Sequence, residues 1–423
     1  MVDSNDWHHS ATVFLSYRRV DADEVKALQS ELHAIGVHAW RDVTHLDVGR
    51  TTRGELARVI NEECDAFLLY VTPDCLTSTF IWEEEVPAAF ERCQRDSNFG
   101  IIPVLRGVSF AQLRQCCAGY SVPDLAEFNG IQLDFSDKAT LHANLRTIAQ
   151  RVLQATLRQH LPRVPALSRI YQPSLCLHVS SYTSLIDHLD LDLNWAEFFT
   201  ATDDGRGICW PGRDEWQGRL LPALYSVQSV LSALPHSRIL HIDIHAPLPV
   251  GFALGFVFPL SARFTLILEN GYRTWHSRVS DASSAGNLAE EPLHINTVDL
   301  HSGEANSAVI ALSISRDVTA AVTAQLPALG IEARYHVQMD IKGGPASDAV
   351  RDEVHAVAIA RQFAREVRNL YDRKQVTHLH LFFAAPVELA VLLGYHLNAT
   401  GTVSVYQYVA SESRYIPGCE LVP

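Results

Sequence analysis

Ser78-Thr79-Phe80-Ile81-Trp82-Glu83-Glu84-Glu85-Val86, running on into Pro87-Ala88-Ala89-Phe90, is the stretch that decides how this chain is read. It follows Phe67-Leu68-Leu69-Tyr70-Val71-Thr72-Pro73, an apolar run closed by a Thr-Pro breaker, which is the pattern of a buried strand and its exit. Ser78 suits a helix N-cap, and the three glutamates fall in the first turns, where the positive end of the helix dipole favours acids. Val86, Ala89 and Phe90 are spaced to face a core. A glutamate on the opposite face then projects into a cleft at the C-terminal end of the strand. A lone run of three glutamates is most often a solvated helix start, so the flanking segments have to decide.

Upstream, Ala11 to Leu15 reads as a short buried strand ending in Ser16-Tyr17-Arg18-Arg19. A helix follows with Val25, Leu28, Leu32 and Ile35 on one face and Gly36 just past its end. Val37 to Trp40 is a second strand, then comes a polar loop, Asp42 to Arg50, and a helix over about Glu55 to Glu62. Ile101 to Leu105 and Ile131 to Leu133 supply a fourth and a fifth strand after Phe67–Val71. Strands alternating with helices predict a parallel, doubly wound α/β sheet. Ligands of such sheets sit beyond the C-terminal ends of the strands. Ser16–Arg19, Asp42–Arg50 and Ser78–Glu84 all emerge there.

With those elements in place, residues 10–155 resemble a TIR domain of flavodoxin-like fold. Three segments carry the resemblance in order: Phe14-Leu15-Ser16-Tyr17-Arg18-Arg19, then Asp42-Val43-x-x-Leu46-x-x-Gly49, then Ser78-x-Phe80-Ile81-x-x-Glu84. TIR domains are either scaffolds or NAD-cleaving enzymes, and the enzymes carry a glutamate at the position matched by Glu84. Phe80 stands where the family usually has Trp. A shift of one residue would promote Glu85 instead; the Ser78 spacing selects Glu84. The resemblance implies NAD as substrate rather than cofactor, with Ser16, Tyr17, Arg18, Asp42, Gly49 and Phe80 around it. A carboxylate there stabilises an oxocarbenium-like ribose as nicotinamide leaves, and the Arg18 fork suits a pyrophosphate. There is no Gly-rich phosphate loop, which argues against a dehydrogenase or an NTPase.

Leu161-Pro162-Arg163-Val164-Pro165-Ala166 breaks the closing helix and places a linker at residues 156–172. The sequence beyond it, 173–423, contains an internal repeat. Ile239 to Pro247, continuing to Gly255, matches His378 to Pro386, continuing to Gly394, at a constant offset of 139 residues. Each copy reads as a buried strand, an Ala-Pro turn and an apolar helix, and so predicts two Rossmann-like halves, about 173–300 and 301–423. This repeat, with Pro386-x-Glu388-Leu389-Ala390 and Val405-Tyr406-Gln407-Tyr408, resembles a SAVED domain, a pair of CARF-like halves found in bacterial anti-phage systems.

The SAVED resemblance implies recognition of a cyclic oligonucleotide, expected to be a trinucleotide, made by a partner nucleotidyltransferase. Helix N-termini and turn amides bind phosphates without a basic surface. The candidate contacts are Ser313, Ser315, Arg316, Ala385, Pro386, His245, Pro247, Tyr406 and Tyr408. The second copy is expected to do most of the reading, because Tyr406 and Tyr408 can stack bases whereas Asp243 of the first copy would repel a phosphate if it faced the cleft.

Composition bounds the partners. The 423-residue chain has 47 % hydrophobic and 19 % charged residues and a net charge of −14, against duplex nucleic acid and membrane surfaces. The polar, acidic start and the lack of a 20-residue apolar run predict a cytoplasmic protein with reduced thiols. Eight cysteines and twenty histidines show no metal-ligand spacing, so no metal is expected. The combined expectation is an effector whose TIR domain cleaves NAD once messenger binding assembles it into oligomers or filaments, with the Asp42–Arg50 loop completing a neighbour's site. The rivals are a TIR that only scaffolds and a sensor that degrades its own ligand.

Overall fold

A computed structural model describes residues 10–41, 52–133, 138–180, 182–200, 209–269, 273–278, 291–300, 304–397 and 401–422. The Asp42–Arg50 loop, with Asp42 and Gly49, lies outside the described residues. The chain forms two compact units. The first takes Met1–Leu175 together with Asp187–Asn194 and Ser226–Ser237; the second takes Cys176–Ile186, Trp195–Tyr225 and Arg238–Pro423.

The first unit is built on a five-stranded sheet of β1 (Thr12–Ser16), β2 (His38–Trp40), β3 (Ala66–Val71), β4 (Gly100–Leu105) and β5 (Ile131–Gln132), in the order β2-β1-β3-β4-β5. Every pairing is parallel, and this strand order is the flavodoxin-like doubly wound one. Strands β1 and β3 are buried along their whole length, as central parallel strands must be when helices cover both faces. The first crossover helix is Ala22–Ala34, with Val25, Leu28 and Leu32 buried, and Gly36 follows at φ +82°. That left-handed position favours glycine.

The segment after β3 begins helical at Thr79, turns wide as a π turn over Ile81–Glu85, and continues as an α-helix over Val86–Arg95. Pro87 gives the physical reason. It has no N–H for the carbonyl four residues back, and its ring crowds that carbonyl, so a wider turn just before it relieves both. The second unit repeats the device, with a π turn over Trp216–Leu220 ahead of Pro222. As the spacing predicts, Val86, Ala89 and Phe90 are buried, joined by Trp82, whose indole donates to the Cys75 carbonyl at 2.9 Å. The long closing helix, Lys138–His160, stops where Leu161-Pro162 begins.

Two further sheets carry the repeat. One contains β6 (Ser174–His178), β7 (Leu191–Asn194), β8 (Ile239–His245), β9 (Thr265–Glu269) and β10 (Thr274–His276), in the order β10-β9-β8-β6-β7. The other contains β11 (Leu293–Asp299), β12 (Glu304–Ser313), β13 (Ala333–Ile341), β14 (His378–Ala384), β15 (Thr402–Val409) and β16 (Arg414–Leu421), in the order β11-β13-β12-β14-β15-β16. In the first copy a strand spans 239–245 and its helix 248–257. In the second, the strand spans 378–384 and the helix 387–396, so all four bounds keep the offset of 139. Both strands then pair in parallel with the strand that follows the helix.

The two repeat helices pack against each other through the glycines they share. A Cβ on Gly255 would lie 1.9 Å from the Val391 carbonyl oxygen, and one on Gly394 would lie 2.2 Å from that of Phe252. Only glycine lets the two backbones approach this closely. The repeat is therefore a physical pairing of the two halves as well as a sequence likeness.

Candidate functional site

In the first unit, the candidate residues converge beyond the C-terminal end of β1. Ser16 is buried and its hydroxyl donates to Glu85 Oε2 at 2.5 Å, tying the end of β1 to the π turn 69 residues later. Ser78 occupies the cap position, its carbonyl accepting from the Trp82 N–H at 3.2 Å. Its hydroxyl accepts instead from Arg18 Nη1 at 3.4 Å. Phe80 packs half-buried against the core, Tyr17 is half-buried, and Arg18 is exposed.

The π turn sorts the three glutamates by exposure. Glu83 is exposed, Glu84 is half-buried, and Glu85 is 6 % exposed and held by Ser16. Of the two acids between which the spacing had to choose, Glu84 remains accessible and Glu85 anchors the turn. Around the rim, Thr72 donates to Asp21 Oδ2 and Tyr70 to Glu24 Oε2, each at 2.8 Å, and Arg106 pairs with Glu24. Burial, reinforced by Glu24, raises the Asp21 carboxyl above its ordinary value despite the Thr72 bond.

In the second unit, the ends of β12 and β14 come together as expected. The Ile314 and Ser315 amides both donate to the Ala384 carbonyl, at 3.1 and 2.9 Å, and the Pro386 carbonyl takes the first bond of the Val387–His396 helix. Arg316 is exposed and sits over the Tyr408 ring at 4.3 Å. Ser315, Ala385, Pro386 and Tyr408 remain half-buried around it. Ser313 is fully buried, its hydroxyl accepting the Val318 N–H at 3.3 Å, so it shapes the turn from inside. Tyr406 is 8 % exposed, stacked on Phe382 at 4.2 Å and bonded to His380, which places its ring in the packing of the sheet face.

In the first copy, His245 is exposed and stacks flat on Tyr182 at 4.5 Å, with half-buried Pro247 leading into the Leu248–Val257 helix. Asp243, which would repel a phosphate only if it faced the cleft, is enclosed by its neighbours. It is 2 % exposed and accepts from Tyr182 Oη, Ser184 Oγ and the Leu185 amide at 3.2, 3.0 and 2.7 Å. Its carboxylate is turned away from the surface and pins the 182–185 segment. Among the described residues no group of three or more His, Cys, Asp or Glu could hold a metal ion.

Residues 13–143 match the family model of the TIR domain. Residues 226–421 match that of the SMODS-associated and fused to various effectors sensor domain, SAVED. The chain joins a TIR domain to a SAVED domain. A curated relative, CD-NTase-associated protein 4 of Moraxella osloensis, is 24 % identical over 254 residues, 58 % of this chain and 48 % of the relative, so the chain spans about half that protein's length. Among solved structures, the Acinetobacter baumannii Cap4 SAVED/CARF-domain containing receptor with the cyclic trinucleotide 3'3'3'-cAAA is 15 % identical. The match covers 82 % of this chain and 86 % of that one, with a TM-score of 0.48. The Moraxella osloensis Cap4 receptor is 13 % identical, covering 98 % and 87 %, with a TM-score of 0.43.

Two features of the TIR unit carried no sequence signal. One is the Ser16–Glu85 bond. The other is a buried cluster at the opposite end of β1, where His160 lies between Asp190 at 2.9 Å and Asp65 at 3.3 Å. Asp65 also accepts the Thr12 amide at 2.8 Å, and Asp190 is bonded by Tyr171 and Ser174. Burial alone would lower the imidazole, but the two carboxylates outweigh it and raise it to about 10. Asp190 is buried too, yet His160 and its other donors hold its carboxyl below the ordinary value. Each partner is remote in sequence, so no local pattern could have linked them.

Proposed function

We propose that this chain is a messenger-gated NAD glycohydrolase of bacterial anti-phage defence. The SAVED domain binds a cyclic oligonucleotide, in this reading a trinucleotide made by a partner nucleotidyltransferase. The protein then self-associates, and the TIR domain cleaves NAD to nicotinamide and ADP-ribose. The pairing of a TIR domain with a SAVED domain in one chain supports the gating, and the name of the CD-NTase-associated relative supports the nucleotidyltransferase link.

The observation that carries the catalytic reading is the division of labour in the π turn, where Glu85 is buried on Ser16 while Glu84 stays accessible. As the bond from ribose C1′ to the nicotinamide nitrogen breaks, its electron pair leaves with nicotinamide and positive charge develops on the ribose. The Glu84 carboxylate stabilises that charge and orients the attacking water, whose proton passes to solvent or to the carboxylate. Exposed Arg18 offers its guanidinium fork to the pyrophosphate. At the sensor, Arg316 over Tyr408, beside the Ser315 and Pro386 turns, supplies a cation and a stacking face for the messenger.

The test is nicotinamide release by the full chain, with and without cyclic tri-adenylate, for the wild type, Glu84→Gln and Glu85→Gln. Release that needs the messenger and falls at least ~100-fold in Glu84→Gln, with messenger binding intact, supports the reading. A normal Glu84→Gln beside a dead but folded Glu85→Gln moves the chemistry one residue along. Absence of release from the wild type with every ring size tested favours a scaffold.

A further inference from the structure

A single hydroxyl in the first unit joins two segments that the proposed reaction needs at once. Thr72, at the exit of β3, is 1 % exposed, and its Oγ1 donates to Asp21 Oδ2 at 2.8 Å while accepting the Cys75 N–H at 3.2 Å. Asp21 closes the loop that leaves β1, its N–H donating to the Arg18 carbonyl at 2.8 Å. Cys75 opens the 3-10 turn ahead of Ser78, and its carbonyl accepts the Ser78 N–H at 3.1 Å and the Trp82 indole N–H at 2.9 Å. The bond from Arg18 Nη1 to Ser78 Oγ then returns to the start. Arg18, Asp21, Thr72, Cys75 and Ser78 form a closed ring of hydrogen bonds that spans 60 residues of sequence.

Asp21 is used against its local preference. It stands at the N-cap of the Ala22–Ala34 helix, where an aspartate ordinarily accepts from the N–H groups of the first turn, yet its side chain caps none of them. The carboxylate turns to Thr72 instead, while Glu24 on the next turn takes Tyr70 and Arg106. A residue that forgoes its local bond for a distant one is the kind of departure expected at a functional site.

The links of the ring differ in length. Those that fix the two backbones run from 2.8 to 3.2 Å, whereas the last, on the exposed Arg18 guanidinium, is 3.4 Å. The guanidinium is thus free to exchange the Ser78 hydroxyl for a phosphate oxygen while its backbone stays where the ring holds it. A cation whose approach is fixed beforehand loses less freedom on binding. The π turn that carries Glu84 has a separate anchor, the bond from Ser16 to Glu85.

We propose that Asp21 and Thr72 are positioning residues that aim Arg18 at the pyrophosphate of NAD, and so set substrate affinity without acting on the bond that breaks. The assignment rests on the NAD-cleaving reading. It adds to it a division of the site, with affinity held through Thr72 and turnover through Ser16.

The test is steady-state nicotinamide release by the full chain at saturating cyclic tri-adenylate, over a range of NAD concentrations. Thr72→Val keeps the shape and removes the hydroxyl. Its KM for NAD should rise roughly threefold to tenfold, the worth of one hydrogen bond, with kcat unchanged. Thr72→Ser, which restores the hydroxyl, should restore KM. Should Thr72→Val fail to fold, half-buried Asp21 gives the second reading. Asp21→Ala should raise KM likewise, and Asp21→Asn, which keeps an acceptor, should not. In an Arg18→Ala background either loss should add nothing, because both act through one guanidinium. An unchanged KM in folded Thr72→Val, or an equal rise with Arg18 present and absent, overturns this inference and leaves NAD cleavage standing. A wild type that releases no nicotinamide removes the NAD-cleaving reading, and this inference with it.

Discussion

The two ends of β1 are both lined with acids, and they are built in opposite ways. At the Thr12 end, Asp65 and Asp190 close on His160, and the donors from Thr12, Tyr171 and Ser174 satisfy them further. At the Ser16 end only Glu85 is enclosed, while Glu84 beside it remains accessible and Arg18 is exposed. A buried charge is tolerated only when it is paired and hydrogen-bonded, so the first end contributes integrity. In the proposed reaction the Glu84 carboxylate meets a developing cation, and the accessibility of the second end suits that role.

The strongest way to break this comparison is to empty the closed end. His160→Ala leaves the buried Asp190 and the half-buried Asp65 carboxylates without their cation and should cost about 3–5 kcal/mol in urea unfolding. A loss below about 1 kcal/mol would show that the cluster is not the clamp described here. The pH dependence has a definite sign. His160 is raised in the folded state from 6.5 to about 10, so its stabilisation is complete below 6.5 and fades as the pH rises toward 10. Asp190, lowered from 3.8, contributes stability above that value that is lost as the pH falls through its folded value. Unfolding curves across the alkaline window should therefore slope downward in the wild type and flatten in His160→Ala.

At the open end the signature reverses. Glu84→Gln should lose at least ~100-fold in nicotinamide release, about 2.7 kcal/mol of transition-state stabilisation, with its melting temperature unchanged. A large stability change with normal turnover would make Glu84 a structural acid like Asp65.

Asp243 in the SAVED domain extends the comparison to another unit. Its three donors make it a closed-end acid, so Asp243→Ala should cost about 1–3 kcal/mol of stability by leaving those donors unpaired. A neutral or stabilised variant, measured by thermal unfolding, would return it to the ligand surface. The smallest effect belongs to the join between the two ends' logics. Ser16→Ala removes one donor from Glu85 and should cost about 1 kcal/mol. Because Ser16 acts through the π turn, kcat should fall while KM holds; a fall in stability alone would limit Ser16 to packing.

Much of this protein is legible along the chain. The five strands of the TIR sheet, the helix break at Leu161-Pro162 and the offset of 139 between β8 and β14 follow from apolar runs, breakers and repetition, all of which act within a few residues. Even the π turn has a local cause, since Pro87 follows it as Pro222 follows its counterpart. What each side chain meets across the fold is another matter. Nothing near Asp243 announces that Tyr182 and Ser184 will enclose it, and nothing near Gly255 announces the backbone of Val391. Ser16 finds Glu85 across 69 residues, and His160 finds Asp65 across 95. Periodicity fixes which face of an element is buried; the partner on that face is chosen only when distant elements pack, and that choice separates an anchoring acid from an accessible one.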